Sequence, residues 1–184
     1  MKKTVLTFGL ISGVIMSVLM AVIVPFHDQI GFDRGFIVGY TTMLMAFLLV
    51  FFGIRSYRDN VGNGEISFGR AFTVGILITL ITCVFYVVTW EIIYFNFLPG
   101  FADKWANYIV EKSRAAGATP EQIAQKMEEA KQMKALLDSK LLGPALIFIS
   151  EPLPVGIVIT LISALILRKR RKPAEVAVTT ASAQ

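Results

Sequence analysis

The chain has 184 residues, 55% of them hydrophobic and 17% charged, with a mean hydropathy of +0.65. A soluble domain of this length carries about 25% charged residues interleaved with apolar ones. Here the charge is gathered between long apolar blocks, so the net charge of +5 does not describe a nucleic-acid surface, and a lone Cys83 and a lone His27 exclude an internal disulfide and argue against a multi-residue metal centre.

The first block covers residues 4–24. At about 1.5 Å per residue, about 20 residues reach the roughly 30 Å of a bilayer core. Behind Met1-Lys2-Lys3 it could pass for a secretory signal, but it is long for one and residues 20–25 offer no small-residue cleavage site. An uncleaved span is expected. Gly9, Gly13, Ser17 and Ala21 recur every four residues, which puts them on one helix face that another backbone can approach closely. The expected partner is another span of the same chain; self-association through Gly9 and Gly13 is the alternative. The second block, 35–54, opens with the same spacing at Gly35 and Gly39.

The connection 55–70 contains Asn60-Val61-Gly62-Asn63-Gly64, which is rich in turn formers and lacks a phosphate-loop pattern. Ser67 is placed to cap the third block, 71–97, where Gly75, Thr79 and Cys83 repeat the four-residue spacing. Glu91 lies within this block, roughly 9 Å below its outer end. Trp90, Tyr94, Phe95, Phe97, Phe101, Trp105 and Tyr108 straddle that end. Aromatic rings with polar tips collect at membrane interfaces, so a belt is expected before a ligand cage.

Residues 98–140 form the long connection. One amphipathic segment puts Phe101, Trp105, Tyr108 and Lys112 on a face and ends near Gly117. A second opens with Thr119-Pro120-Glu121-Gln122, which supplies an N-cap, a proline at the first helical position and a glutamine three residues past the cap. The second helix is expected to run towards the fourth block, 141–167, with a break at Gly143-Pro144. Glu151 lies in the fourth block, roughly 15 Å from its outer end, followed by Pro152 and Pro154, which predict a kink, and by Gly156, Thr160 and Ala164.

An acid inside a membrane costs roughly 2.5 kcal/mol or more, so it faces the bundle interior or a wet cavity. Glu91 and Glu151 are therefore the candidate ion or proton site, and antiparallel neighbouring spans could bring them to similar heights. No basic residue lies in the core of a span, so a neutral carboxyl bonded to a freed carbonyl near residues 146–150 is the structural alternative.

With four spans, Lys2, Lys3, Arg55, Arg58, Arg70 and the basic run 168–172 share one side with Asp59, Glu65 and Glu175, while the other side balances its charges. Basic residues mark the cytoplasmic side, so both termini are expected there. The run 168–172 reads as a stop-transfer anchor, with anionic lipid docking as its functional alternative. The expected fold is all-α: a polytopic four-transmembrane-helix bundle with an extracytoplasmic amphipathic helical hairpin between spans 3 and 4. One membrane domain is expected over 1–172, with a disordered cytoplasmic tail over 173–184.

At Tyr57-Arg58-Asp59, at Ile66-Ser67-Phe68-Gly69-Arg70-Ala71-Phe72 with Gly75, and at Leu153-Pro154-Val155-Gly156 with Leu161-Ile162-Ser163-Ala164-Leu165-Ile166-Leu167, the chain resembles domain-of-unknown-function family 4199, small bacterial inner-membrane proteins. The resemblance extends from Lys2 to about Lys172. It implies four spans in a bacterial inner (plasma) membrane and no assigned activity.

The function expected first is that of a structural or accessory membrane protein. It would act through helix packing at Gly9, Gly13, Gly35, Gly39, Gly75 and Gly156 and through the hairpin. Its partners would be the lipid bilayer and either a second copy or a periplasmic or membrane protein bound through 98–140. The alternative is a small proton- or cation-coupled transporter, oligomeric, using Glu151 and Glu91. Enzymatic activity is not expected: no nucleophile motif or metal-ligand spacing is present, and no cofactor, metal or nucleic acid is implied.

Overall fold

The computed structural model describes residues 1–169. The expected tail, and Arg170, Arg171 and Lys172 of the basic run, lie outside the described residues. Within them the chain is all-α. Helix α1 (Lys2–Ile23) passes through a 3₁₀ turn (Val24–Phe26) into α2 (His27–Asn60); α3 (Phe68–Phe97), α4 (Phe101–Ala115), α5 (Pro120–Leu137), α6 (Leu142–Ser150) and α7 (Pro152–Leu167) follow.

Three helical stretches are long and apolar enough to cross a membrane: Lys2–Asn60, Phe68–Phe97 and Leu142–Leu167. The first doubles back on itself. Ser12 of α1 donates its hydroxyl to the carbonyl of Ala46 on α2 at 2.9 Å, so α1 and α2 lie side by side and antiparallel. The reversal uses the 3₁₀ turn at Pro25 and Gly31, whose φ of +72° side chains rarely adopt. Helix α2 outruns its apolar stretch, 35–54, at both ends. Helical geometry needs no apolar side chains once the backbone is in water, and Arg55 and Arg58 flank Asp59 on the final turns.

Helix α3 is the central member and packs against α1, α2 and α7. Ser67 caps it, its hydroxyl accepting from the Arg70 N–H. Against α1 it runs parallel: a methyl at Gly9 would meet Ile81, one at Gly13 would lie 2.5 Å from Phe85, and the Ser17 and Thr89 hydroxyls share a 2.7 Å hydrogen bond. The small-residue face of α1 is thus filled by α3 of the same chain. Against α7 it runs antiparallel. Thr79 and Thr160 bond at 3.0 Å, and Gly75 and Gly156 admit Thr160 and Thr79 at van der Waals distance. Small residues allow this approach because apolar helices gain little from leaving lipid and associate through packing and interhelical hydrogen bonds. Phe47, Val50, Ile54, Val74, Ile78 and Ala164 are fully buried at the centre. Leu6, Leu10, Ile37, Leu48, Val84, Val88, Ile162 and Ile166 stand exposed around the outside, a surface suited to lipid.

The start of α1, the end of α2, the start of α3 and the end of α7 meet at one end of the bundle. There Ile66 and Lys169 pair as an antiparallel bridge, each N–H donating to the other's carbonyl at 3.0 Å. At the opposite end, α4 and α5 pack together around a tight turn. Gly117 (φ +80°) ends α4, with the Ala118 N–H on the Ser113 carbonyl and the Gly117 N–H on the Arg114 carbonyl. Thr119 and Gln122 exchange both capping-box hydrogen bonds at the start of α5.

The break between α5 and the last apolar stretch differs from the expected Gly143-Pro144. The chain leaves helix over 138–141, and both residues sit inside the first turn of α6. A first-turn N–H has no intrahelical partner, so Pro144 gives nothing up there. Pro152 and Pro154 act in the same way. They occupy the first turn of α7, and the helical course is interrupted at Glu151 (φ −115°, ψ −77°).

A candidate ligand cavity at the helix break

At the end opposite the Ile66–Lys169 bridge, the helices line a half-open cavity of about 320 Å³, with Phe36 and Tyr40 exposed at its edge. Helix α2 contributes His27, Phe32, Gly35, Phe36, Gly39, Tyr40 and Met43; α3 contributes Tyr86 and Trp90. Helix α4 covers it with Phe101 and Trp105, α5 with Met133 and Leu137, and α6 with Leu146, Ile147 and Ser150. Glu151, at the break, supplies the carboxyl.

Two features make room for it. Gly35 and Gly39 have no atom within 4 Å of the position a methyl would take, so they open the cavity wall and do not seat a neighbouring helix. This departs from the packing role expected of them, while Gly9, Gly13, Gly75 and Gly156 do face another helix closely. The interruption between α6 and α7 is the other feature: Glu151 keeps its N–H on the Ile147 carbonyl at 3.1 Å, and its carboxyl lines the cavity. The Tyr86 hydroxyl donates to Glu151 Oε2 at 2.5 Å, so the partner of the carboxyl is a side chain of α3 and not a carbonyl of residues 146–150. Glu91 does not share the site. It follows Trp90 on α3 but does not line the cavity and makes no hydrogen bond to Glu151. In the antiparallel register of α3 and α7 it is Tyr86, and not Glu91, that stands level with Glu151.

The cover is held by charge and by rings. Lys104 of α4 bonds Asp28 at 2.9 Å, Lys112 bonds Asp33 at 2.6 Å, and Tyr108 donates to the same Asp33 oxygen at 2.5 Å. Lys134 of α5 bonds Asp103 of α4 at 2.6 Å. The Lys104 hydrogen bond and charge hold Asp28 below its ordinary value of 3.8. Asp33 is lowered by the Lys112 hydrogen bond and then by that of Tyr108, and Asp33 in turn raises Lys112 above 10.5. Phe101 sits within 5.2 Å of the His27 ring and 5.5 Å of Trp90, and Phe32 within 4.9 Å of Tyr108. Tyr94 donates to Asp138 at 2.6 Å, which pins the end of α5 to α3.

A family model described as "Protein of unknown function (DUF4199)" matches residues 7–169. The chain belongs to this family. No curated protein and no solved structure matches it. In this DUF4199 protein the matched region contains every residue that lines the cavity. It is a membrane protein by the length and apolarity of its helices.

Of the aromatic cluster read as an interfacial belt, Trp90, Phe101 and Trp105 line the cavity, while Phe95 and Phe97 stay exposed. Sequence reasoning missed His27, Tyr40 and Tyr86. A usable signal existed for Tyr86, which lies four residues before Trp90 and therefore on the same face. Trp90 and Trp105 are the two tryptophans of the DUF4199 chain, so its intrinsic fluorescence reports on this cavity. Among the described residues, no group of three His, Cys, Asp or Glu side chains is placed to hold a metal ion.

Proposed function

We propose that the protein crosses the bacterial inner membrane four times, with both termini in the cytoplasm, and binds a small molecule in the cavity on the extracytoplasmic side. Helices α1, α2 and α3, together with α6 and α7 as one interrupted crossing, are the four spans. The α4–α5 hairpin is the roof. Lys2, Lys3, Arg55, Arg58, Arg70, Arg168 and Lys169 at the opposite end support the orientation. The reading is one of binding coupled to proton exchange at Glu151, without bond chemistry.

One observation carries it: the Glu151 carboxyl stands at a break in a membrane helix and reaches a cavity of about 320 Å³. Interrupted helices with a polar group at the break are the usual form of a substrate site in membrane carriers. This favours the ligand- and proton-handling reading over the purely accessory one. The small-residue face of α1, which an accessory protein would offer to a partner, is already filled by Ile81 and Phe85.

The test uses protein reconstituted in vesicles, with tryptophan fluorescence for binding and a pH dye in weak buffer for the proton. The probes are a cation, an anion and a neutral molecule of one shape class: benzyltrimethylammonium, phenylacetate and 2,2-dimethylpropylbenzene. At least one should shift the fluorescence saturably and exchange a proton with the parent protein, and Glu151→Gln should abolish the exchange. If no probe moves the fluorescence, the binding reading fails. Binding with equal proton exchange in Glu151→Gln would remove Glu151 from the coupling.

A further inference from the structure

The chemistry of the wall goes further than the presence of a cavity and selects a ligand charge. We propose that the cavity takes a small organic cation, an ammonium group carried on an apolar body; this rests on the cavity being a ligand site.

Size comes first. A volume of about 320 Å³ is at the low end of the roughly 300–1,000 Å³ of small-molecule sites, so the ligand is compact and not a whole lipid. Charge comes next. Among the described residues Glu151 is the only carboxylate on the wall, and no Lys or Arg lines it. Of the basic residues of the cover, Lys104 is held by Asp28, Lys112 by Asp33, Lys134 by Asp103 and Lys126 by Glu129, and no basic residue of α4 or α5 lines the cavity. The other titratable side chains facing the cavity are His27, Tyr40 and Tyr86. Tyr86 occupies Glu151 Oε2, and Oε1 accepts no hydrogen bond from the described residues, so an oxygen remains to accept from, or sit against, a cation.

The rings complete the case. Phe32, Tyr40, Tyr86, Trp90, Phe101 and Trp105 come from three helices and surround one volume. The face of an aromatic ring is electronegative, and rings grouped around an ammonium each contribute attraction that grows as water is excluded. An anion would meet the same faces and the carboxylate unfavourably. A neutral molecule would gain the apolar contact alone.

The experiment compares benzyltrimethylammonium with 2,2-dimethylpropylbenzene, which replaces the nitrogen by carbon at the same shape, and with phenylacetate. Binding is read by tryptophan fluorescence at one fixed pH for all three probes, with partitioning into protein-free vesicles subtracted. The cation should bind about tenfold more tightly than the neutral isostere. Glu151→Gln should cut that preference several-fold, and Glu151→Asp should keep most of it. Equal binding of cation and isostere to the parent, or a preference for phenylacetate, would overturn the cation assignment while leaving the ligand site standing. Full preference surviving in Glu151→Gln would overturn the role of the carboxylate. The comparison within the parent protein needs no variant to fold. If none of the three binds, the failure belongs to the ligand-site reading.

Discussion

Gly156→Ala against Gly39→Ala separates the two kinds of glycine in this bundle. A methyl at Gly156 would lie 3.0 Å from Cε1 and Cζ of Phe47 and closer still to Cγ2 of Thr79, and both neighbours are fully buried. Forcing an extra methyl into a packed site costs about 1–3 kcal/mol. Rotating Thr79 away would weaken its hydrogen bonds to Thr160 and the Gly156 carbonyl, at about 0.6 kcal/mol for such a bond in a membrane protein. Alanine returns about 0.9 kcal/mol through helix propensity. The net loss at Gly156 is about 1–2.5 kcal/mol. At Gly39 nothing lies within 4 Å, so alanine there is neutral or stabilising by up to about 0.9 kcal/mol. The gap between the two variants should be about 1–3.4 kcal/mol. Reversible unfolding in mixed micelles titrated with a denaturing detergent, followed by circular dichroism, would measure it. Two variants within about 0.5 kcal/mol of one another would refute the claim that α7 approaches α3 through Gly156.

Tyr86→Phe keeps the ring but leaves the Glu151 carboxyl without its donor, and should lower stability by about 1–3 kcal/mol in the same titration. The docking of α4 should depend on pH with opposite signs at the two extremes. Asp28 and Asp33 are lowered, so their contribution is present above 3.8 and lost as pH falls through their lowered values. Lys112 is raised, so its contribution is present below 10.5 and lost as pH rises through its raised value. Amide hydrogen exchange over 101–115 would show loosening at both extremes, and at neutral pH in Asp33→Asn; unchanged protection would count against the ion pairs as the fastening. For orientation, Cys83 is the single cysteine and is buried, so the parent protein is an unlabelled background. An impermeant maleimide added to intact cells with a permeabilised outer membrane should label Ala118→Cys and spare Gly64→Cys. The reverse pattern would invert the topology.

The elements most legible in the sequence are those specified by residues a few positions apart. Gly117, and Thr119 with Pro120 and Gln122, encode a helix end and a helix start whose hydrogen bonds close within six residues. The small-residue faces at Gly9–Gly13 and at Gly156 were legible for the same reason. Gly35 and Gly39 carry the same spacing and do the opposite, because spacing says which face a residue occupies and not what stands opposite it. Glu91 and Glu151 raise a related point. Counting residues bounds the depth of each acid, whereas the level at which two helices meet depends on their register and the direction of a side chain on helix rotation; Tyr86, and not Glu91, meets Glu151. The cavity was the least legible feature. Its wall draws on α2 to α6 and the break after them, so no single segment contains its pattern, and Tyr86 looks from its neighbours like one more interfacial ring.

The pairing of Ile66 with Lys169 bears on what the cavity can do. It bolts the connection before α3 to the end of α7, on the far side of a packed layer of Phe47, Val50, Ile54 and Ile78 from the cavity. In this conformation the packed layer closes the base of the cavity among the described residues. The bolt itself is light. Its two backbone hydrogen bonds together hold about 1–3 kcal/mol, and the packed layer between it and the cavity is the heavier obstacle. Passage across the membrane would therefore require α3 and α7 to slide apart at the threonine contacts, and a protein that never does so would be a receptor or a reservoir.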